Sequence, residues 1–132
     1  MEEINSLRYW ESRFSSGSWE ENNGKLQTAY FADLIIRNVN PRVLYETNSM
    51  IDFGCALGQL CEAWRHFTGT KDIVGYDFSS VACRIAQEDF KNISFSNIVP
   101  KRKFDIVVSS NFLEHVDLPI AYLNRFANMA EM

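Results

Sequence analysis

The chain has 132 residues, of which 46% are hydrophobic and 23% charged, and these values indicate one soluble globular domain. Its formal net charge of −4 argues against a nucleic-acid substrate, and no apolar run is long enough to span a membrane. The start, Met1-Glu2-Glu3, lacks the basic residues of a signal peptide, so we expect a cytoplasmic protein.

Two amphipathic helices are predicted before the first strand. Apolar residues at helical spacing predict one helix over residues 2–14 and another over residues 25–38, which Pro41 ends. On the second helix we expect one buried face made of Leu26, Ala29, Tyr30, Leu34 and Ile36. These helices make residues 1–40 a helical cap on a single domain that spans residues 1–132.

A strand, a turn of small residues and a helix are predicted between Ser49 and Phe67. The apolar run 50–53 is typical of a buried parallel strand, and it contains one carboxylate, Asp52. Small residues follow at Gly54, Ala56 and Gly58. Helical spacing continues through Leu57, Leu60, Cys61, Trp64 and Phe67. This layout lets a backbone approach a nucleotide, but a dinucleotide fingerprint needs glycine at its sixth place, where Gln59 stands.

Three further strands are predicted over residues 72–77, 92–96 and 104–109. The first of them ends in Asp77, whose carboxylate can accept hydrogen bonds from both hydroxyls of a ribose. The alternative is that Asp77 or Ser79 only caps the next helix, residues 80–90. A last helix is predicted after Asp117, its expected cap, with Ile120, Leu123, Phe126 and Ala130 buried.

The cysteines and the one basic run predict no further site. Cys55, Cys61 and Cys83 are odd in number and scattered, so neither a disulfide framework nor a zinc site is expected. The run Lys101-Arg102-Lys103 is more typical of a solvated loop ahead of a strand than of a nucleic-acid contact.

Three segments resemble class I S-adenosylmethionine-dependent methyltransferases. Residues 52–58, DFGCALG, are similar to the first family motif, an acidic residue followed by G-x-G-x-G. Ala56 replaces the middle glycine, which fits if its φ is negative. Residues 104–116, FDIVVSSNFLEHV, resemble the F-D-x-V-x-x-x-x-x-L-E-H-V signature. Residues 9–19 are similar to the N-terminal segment of small-molecule and sugar-type members.

The resemblance implies S-adenosyl-L-methionine as cofactor. The residues it places at the cofactor are Trp10, Arg13, Asp52, Gly54, Cys55, Ala56, Gly58, Asp77, Phe78, Asn97, Ser109 and Ser110. Among these, Asp77 is expected at the ribose, Phe78 on the adenine face and Asn97 at the adenine edge. Arg13 is expected at the carboxylate of the amino-acid end, and the two serines beside the methionine arm. His115 is a candidate general base, or else a histidine that holds its loop by hydrogen bonds.

The expected fold is α/β, a Rossmann-like doubly wound parallel sheet in strand order 3-2-1-4. It is incomplete relative to the seven-stranded family domain, which indicates a fragment or self-association through the open edge of the fourth strand. The expected reaction moves a methyl group to an O, N or C nucleophile of a small-molecule acceptor, such as a sugar or polysaccharide precursor. The alternatives are an inactive cofactor-binding or scaffold module and, less favoured, NAD-dependent redox chemistry.

Overall fold

The computed structural model describes residues 3–131, in which helices and parallel strands alternate. The helices are α1 (Leu7–Ser16), α2 (Ser18–Glu21), α3 (Gly24–Asn38), α4 (Pro41–Glu46), α5 (Gln59–Thr68), α6 (Ser80–Asp89) and α7 (Pro119–Met129). The strands are β1 (Ser49–Phe53), β2 (Asp72–Tyr76), β3 (Ser94–Ser96) and β4 (Ile106–Val108), and a 3-10 turn covers Leu113–His115. No helix within residues 3–131 has both the length and the apolar character needed to cross a membrane.

The four strands form one parallel sheet in the order β3-β2-β1-β4, which confirms the predicted topology. β1 lies inside the sheet, with Ile51 paired to Val74 of β2 and to Val107 of β4. Successive side chains of a strand point to opposite faces. Met50 therefore packs in the core on the α3 and α5 side, whereas Ile51 and Phe53 pack on the α7 side.

The predicted buried face of α3 is wrong for all of its residues except Ile36. Leu26, Ala29, Tyr30 and Leu34 are exposed, Leu26 to 70%. The buried face instead carries Ala32 and Ile36, which pack in one cluster with Trp64 of α5. A small residue at Ala32 lets α3 approach the large indole closely, so side-chain size decides which stripe of the helix faces inward.

Two helix boundaries also differ from the sequence predictions. Pro41 does follow the end of α3, but it is also the first residue of α4, whose cap Asn40 accepts the N–H of Arg42 at 2.9 Å. α1 begins at Leu7 rather than at residue 2, because the side chain of Ser6 accepts the N–H of Tyr9 and caps the helix. The predicted first residue, Glu2, lies outside the described residues.

Helix α7 and the C-terminal part of α5 present different faces from those expected. Asp117 does not cap α7, which begins at Pro119 without a side-chain cap. Ile120 and Leu123 are exposed, and Phe67 at the end of α5 is exposed as well. The inward residues of α7 are Tyr122, Phe126 and Met129, which pack against the α7 side of the sheet. Aromatic packing on Phe53 explains this orientation, since its ring centroid lies 4.8 Å from that of Phe126.

The segment just before β4 is paired at one point with the C-terminal part of the described chain. Phe104 forms a parallel bridge with Ala130: its N–H donates to the carbonyl of Met129 at 2.8 Å, and its carbonyl accepts from Glu131 at 2.7 Å. The strand is shorter than the predicted 104–109 segment. Self-association through the outer edge of the fourth strand stays a prediction.

Candidate functional site

The loop after β1 has three residues in the left-handed region of backbone space. Gly54, Ala56 and Gly58 have φ values of +90°, +48° and +91°. The N–H groups of Gly54 and Cys55 both donate to the carbonyl of Tyr76, at 2.8 and 2.9 Å, and so fix the loop to the end of β2. The condition of a negative φ at Ala56 is therefore not met. Its N–H donates to Oδ2 of Asp77 at 3.0 Å, and this bond offsets part of the strain of a left-handed alanine.

Asp77 lies directly after β2 and joins two loops at the carboxyl edge of the sheet. Its Oδ1 accepts the N–H of Ser79 at 3.0 Å, while Oδ2 holds Ala56. Ser79 caps α6 through its own hydroxyl, which accepts the N–H of Ala82 at 3.1 Å. Burial raises the pKa of Asp77 to about 6, against the opposing effect of the two backbone hydrogen bonds. Because a carboxylate oxygen has two lone pairs, both oxygens can still accept from a ligand.

Asp52 is a second buried carboxyl group beside the first. It is 2% exposed, and its Oδ1 finds no hydrogen-bond partner among residues 3–131. Its Oδ2 meets only the Sγ of Cys61, at 3.9 Å. Burial, followed by the charge of Asp77, raises the pKa of Asp52 to about 7. An unpartnered acceptor of this kind fits a ligand that brings a donor or a positive charge.

A cavity of about 260 Å³ lies at this edge of the sheet, between the strand ends and the N-terminal helices. The predicted site residues that line it are Trp10, Asp52, Gly54, Cys55, Ala56, Asp77, Phe78, Ser110 and His115. The lining residues that sequence reasoning did not assign to the site are Asn5, Phe14, Trp19, Gln27, Thr28, Phe53, Leu60, Tyr76, Asn111, Phe112, Val116 and Tyr122. Most of the second group are aromatic or come from the N-terminal helices. Trp19 and Phe112 lie in the two segments, residues 9–19 and 104–116, that resembled the family. This resemblance was the signal that could have identified them as site residues.

The other four predicted residues lie outside the cavity lining. Arg13 donates to the hydroxyl of Tyr9 at 3.0 Å. Gly58 directly precedes α5, and Asn97 is an exposed residue after β3. The hydroxyl of Ser109 donates to the carbonyl of Phe53 at 2.8 Å and ties the end of β4 to β1. Cofactor contacts for these four residues stay predictions.

His115 lies at the end of the 3-10 turn and faces the N-terminal helix. Its ring centroid is 5.1 Å from that of Trp10, with the rings inclined at 70°. Its Nε2 lies 3.8 Å from Oε1 of Glu114. An aromatic contact thus positions the imidazole at the cavity wall. This position is compatible with both predicted roles, a general base and a histidine that holds its loop.

An aromatic group closes the cavity on the β4 side. The ring centroids of Phe53 and Phe112 are 5.4 Å apart, and those of Phe112 and Tyr122 are 5.1 Å apart, both pairs edge to face. The ring of Phe112 lies over Gly54, at a distance that leaves no room for a side chain there. This wall is apolar, in contrast to the carboxyl groups of Asp52 and Asp77.

A parallel sheet with a small-residue loop after β1 and a carboxylate after β2 defines a nucleotide-binding α/β domain. Residues 20–131 match the family described as "Methyltransferase domain", and the chain belongs to that family. The resemblance found in the sequence is thereby confirmed.

Curated relatives are similar over part of their length. A ubiquinone biosynthesis O-methyltransferase of Rhodopseudomonas palustris (strain TIE-1) is 30% identical over 100 residues, which are 69% of this chain and 39% of that protein. The protein of the same description from strain BisA53 is 28% identical over 136 residues, 86% of this chain and 53% of that protein. The chain thus spans about half or less of the length of these relatives.

Solved structures share the fold at low identity. The plantazolicin methyltransferase BpumL in complex with SAH superposes with a TM-score of 0.73 and 17% identity, over 96% of this chain and 55% of that one. Magnesium protoporphyrin IX methyltransferase (ChlM) from Synechocystis PCC 6803 with bound SAM gives a TM-score of 0.63 at 17% identity, over 82% and 55%.

Proposed function

We propose that this domain binds S-adenosyl-L-methionine and transfers its methyl group to an O, N or C nucleophile of a small molecule. The observation that carries the proposal is the hydrogen bond from Ala56 to Asp77 on the cavity wall. This bond joins the small-residue loop and the buried carboxylate, the two features that a nucleotide needs, at neighbouring strand ends. The family and the named relatives support the same reaction class.

The residues of the cavity fit this cofactor. Gly54 leaves backbone without a side chain at the cavity wall, and Oδ1 of Asp52 is an acceptor that lacks a partner. Asp77 would accept from the ribose hydroxyls, Phe78 would lie on the adenine, and Asp52 would face the positive charge. The bound cofactor would supply a methyl group already activated on a sulfonium.

The chain's own contribution would be alignment and exclusion of water. Trp10, Phe14 and Trp19 form an aromatic wall from the N-terminal helices, and residues 1–40 act as the cap in this proposal. Holding two reactants in line can contribute about 7–11 kcal/mol to a barrier reduction. His115, held against Trp10, would accept the proton of an acceptor hydroxyl.

The methyl acceptor is proposed first as a chemical class and then as a narrower type of molecule. The named relatives act in ubiquinone biosynthesis as O-methyltransferases, which favours a hydroxyl acceptor on a small molecule. A sugar or polysaccharide precursor is the narrower proposal, and it rests only on the similarity of residues 9–19 to sugar-type family members. A cytoplasmic location accompanies the proposal.

Calorimetry followed by a labelled-methyl assay tests the proposal. We expect S-adenosylmethionine to bind at micromolar concentrations, and one member of a panel of phenols, sugars and nucleotide sugars to become labelled. A chain that binds NAD but not S-adenosylmethionine would refute the proposal. Cofactor binding without turnover on any acceptor would instead favour an inactive binding module, the second candidate.

A further inference from the structure

We propose that Phe112 is a steric gate over Gly54 that sets the size of the alkyl group accepted at the sulfonium of the cofactor. The inference rests on the proposed function, and it makes Phe112 a specificity-determining residue. It would restrict the domain to methyl donors before any acceptor is bound.

The first observation is the contact between the ring and the glycine. A β-carbon at Gly54 would lie 2.6 Å from Cδ2 of Phe112 and 3.1 Å from its Cγ. The ring therefore fills the space that a side chain on the loop after β1 would occupy. Both residues line the cavity, so the ring sets the free height above the backbone of Gly54.

The second observation is that the ring is held in place. Phe53 and Tyr122 contact it edge to face, with centroid distances of 5.4 and 5.1 Å. Phe53 is fully buried, so one of these contacts is anchored in the core. The preceding residue, Asn111, is left-handed with a φ of +53°, and Phe112 packs against the cluster on the α7 side of the sheet. A ring fixed on two sides cannot move aside without loss of packing.

The order of the strands gives the direction in which a ligand must lie. β2, β1 and β4 are neighbours, and Asp77, Gly54 and Phe112 follow them at the same edge of the sheet. A ligand with its ribose at Asp77 that crosses Gly54 has its other end against Phe112. An aromatic ring attracts a cation there.

Isothermal calorimetry with two donors tests the gate without an acceptor. The probes are S-adenosyl-L-methionine and S-adenosyl-L-ethionine, which differ by one methylene at the sulfonium. We expect wild-type protein to bind the ethyl compound about 10–200-fold more weakly, the range that one methylene can discriminate in a close-fitting pocket. Phe112→Ala should bring the ratio of the two dissociation constants close to one.

A matched control separates the gate from general loss of packing. Phe126 belongs to the same aromatic cluster, 6.3 Å from Phe112 between centroids, but it does not line the cavity. Phe126→Ala should lower the melting temperature and keep the ratio of wild type. Phe112→Leu serves as the milder variant if the alanine variant does not fold, and it should lower the ratio in the same direction.

The outcomes distinguish the gate from the function on which it depends. A wild-type ratio near one, or a folded Phe112 variant with the wild-type ratio, would overturn the gate while S-adenosylmethionine binding still upheld the proposed function. Absence of S-adenosylmethionine binding to wild type would refute the proposed function and the gate with it. A ratio that falls equally in Phe126→Ala would assign the effect to the core and not to Phe112.

Discussion

Replacing Asp77 by asparagine removes the charge at the end of β2 with little change in shape. The carboxylate accepts one backbone N–H on each oxygen, from Ala56 and from Ser79, both at 3.0 Å. Asparagine can satisfy only one of these donors, and it loses the charge-assisted bonds to ribose hydroxyls. Loss of a hydrogen bond to a charged group costs about 1.5–3 kcal/mol. The dissociation constant of S-adenosylmethionine should therefore rise about ten- to a hundredfold.

The same substitution should not unfold the domain. The pKa of Asp77 is raised from 3.8 to about 6 in the folded chain, so the folded state binds more protons than the unfolded state between these values. The carboxylate therefore costs stability above pH 6, and asparagine removes that cost while it loses one backbone hydrogen bond. We expect melting temperatures of wild type and variant to lie close together at pH 8.

Asp72→Asn is the matched control, because Asp72 begins the same strand at the opposite edge of the sheet. Its carboxylate pairs with Arg102 at 2.6 and 2.9 Å in an exposed position. Calorimetry at pH 7.5 should give the wild-type dissociation constant for this control. An unchanged constant in Asp77→Asn, or an equal loss in both variants, would refute the assignment of the ribose site.

Four further predictions concern residues at the site and away from it. Asp52→Asn should stabilise the fold at pH 8 but not at pH 4. The pKa of Asp52 is raised from 3.8 to about 7 in the folded chain, so the wild type loses stability as the pH rises between these values. Melting curves at both pH values check this. Gly69→Ala, at φ +70° with open space, should cost about 1–2 kcal/mol in urea unfolding. Gly54→Ala should cost about 1–3 kcal/mol more through the clash with Phe112, and Phe112→Ala should relieve that excess in the double variant. Asp105→Ala should cost about 1–3 kcal/mol, since its Oδ2 accepts two backbone N–H groups at the start of β1, yet leave cofactor affinity in calorimetry unchanged.

The two central strands of the sheet, β1 and β2, were predictable because each contains a short apolar run with a carboxylate near its carboxyl end. Asp52 and Asp77 marked the ends of β1 and β2, and neighbouring parallel strands bring such residues to one edge. Helix faces were less predictable. The apolar spacing of α3 selects a stripe that includes Leu26, but the buried stripe contains Ala32, because it must fit against Trp64. Hydrophobic periodicity identifies the candidate faces of a helix, whereas the surface that the helix packs against determines which face is buried.

The aromatic part of the cavity could not be read from spacing. Phe112 and Tyr122 come from different elements and meet only through the fold. The left-handed φ of Ala56 was missed for a related reason. A non-glycine residue adopts that region when its surroundings hold it there, and here the partner, Asp77, is distant in sequence.

The site combines three features that each cost stability. Ala56 is left-handed, Oδ1 of Asp52 is buried without a partner, and Asp77 is a buried carboxylate whose pKa is raised. All three lie at the ends of β1 and β2, while the core on both faces of the sheet is otherwise apolar. Local violations of this kind concentrate where a ligand offsets them. A turn that served packing alone would not need Asp52, because this carboxyl group accepts no backbone N–H within residues 3–131 and carries the desolvation cost of burial.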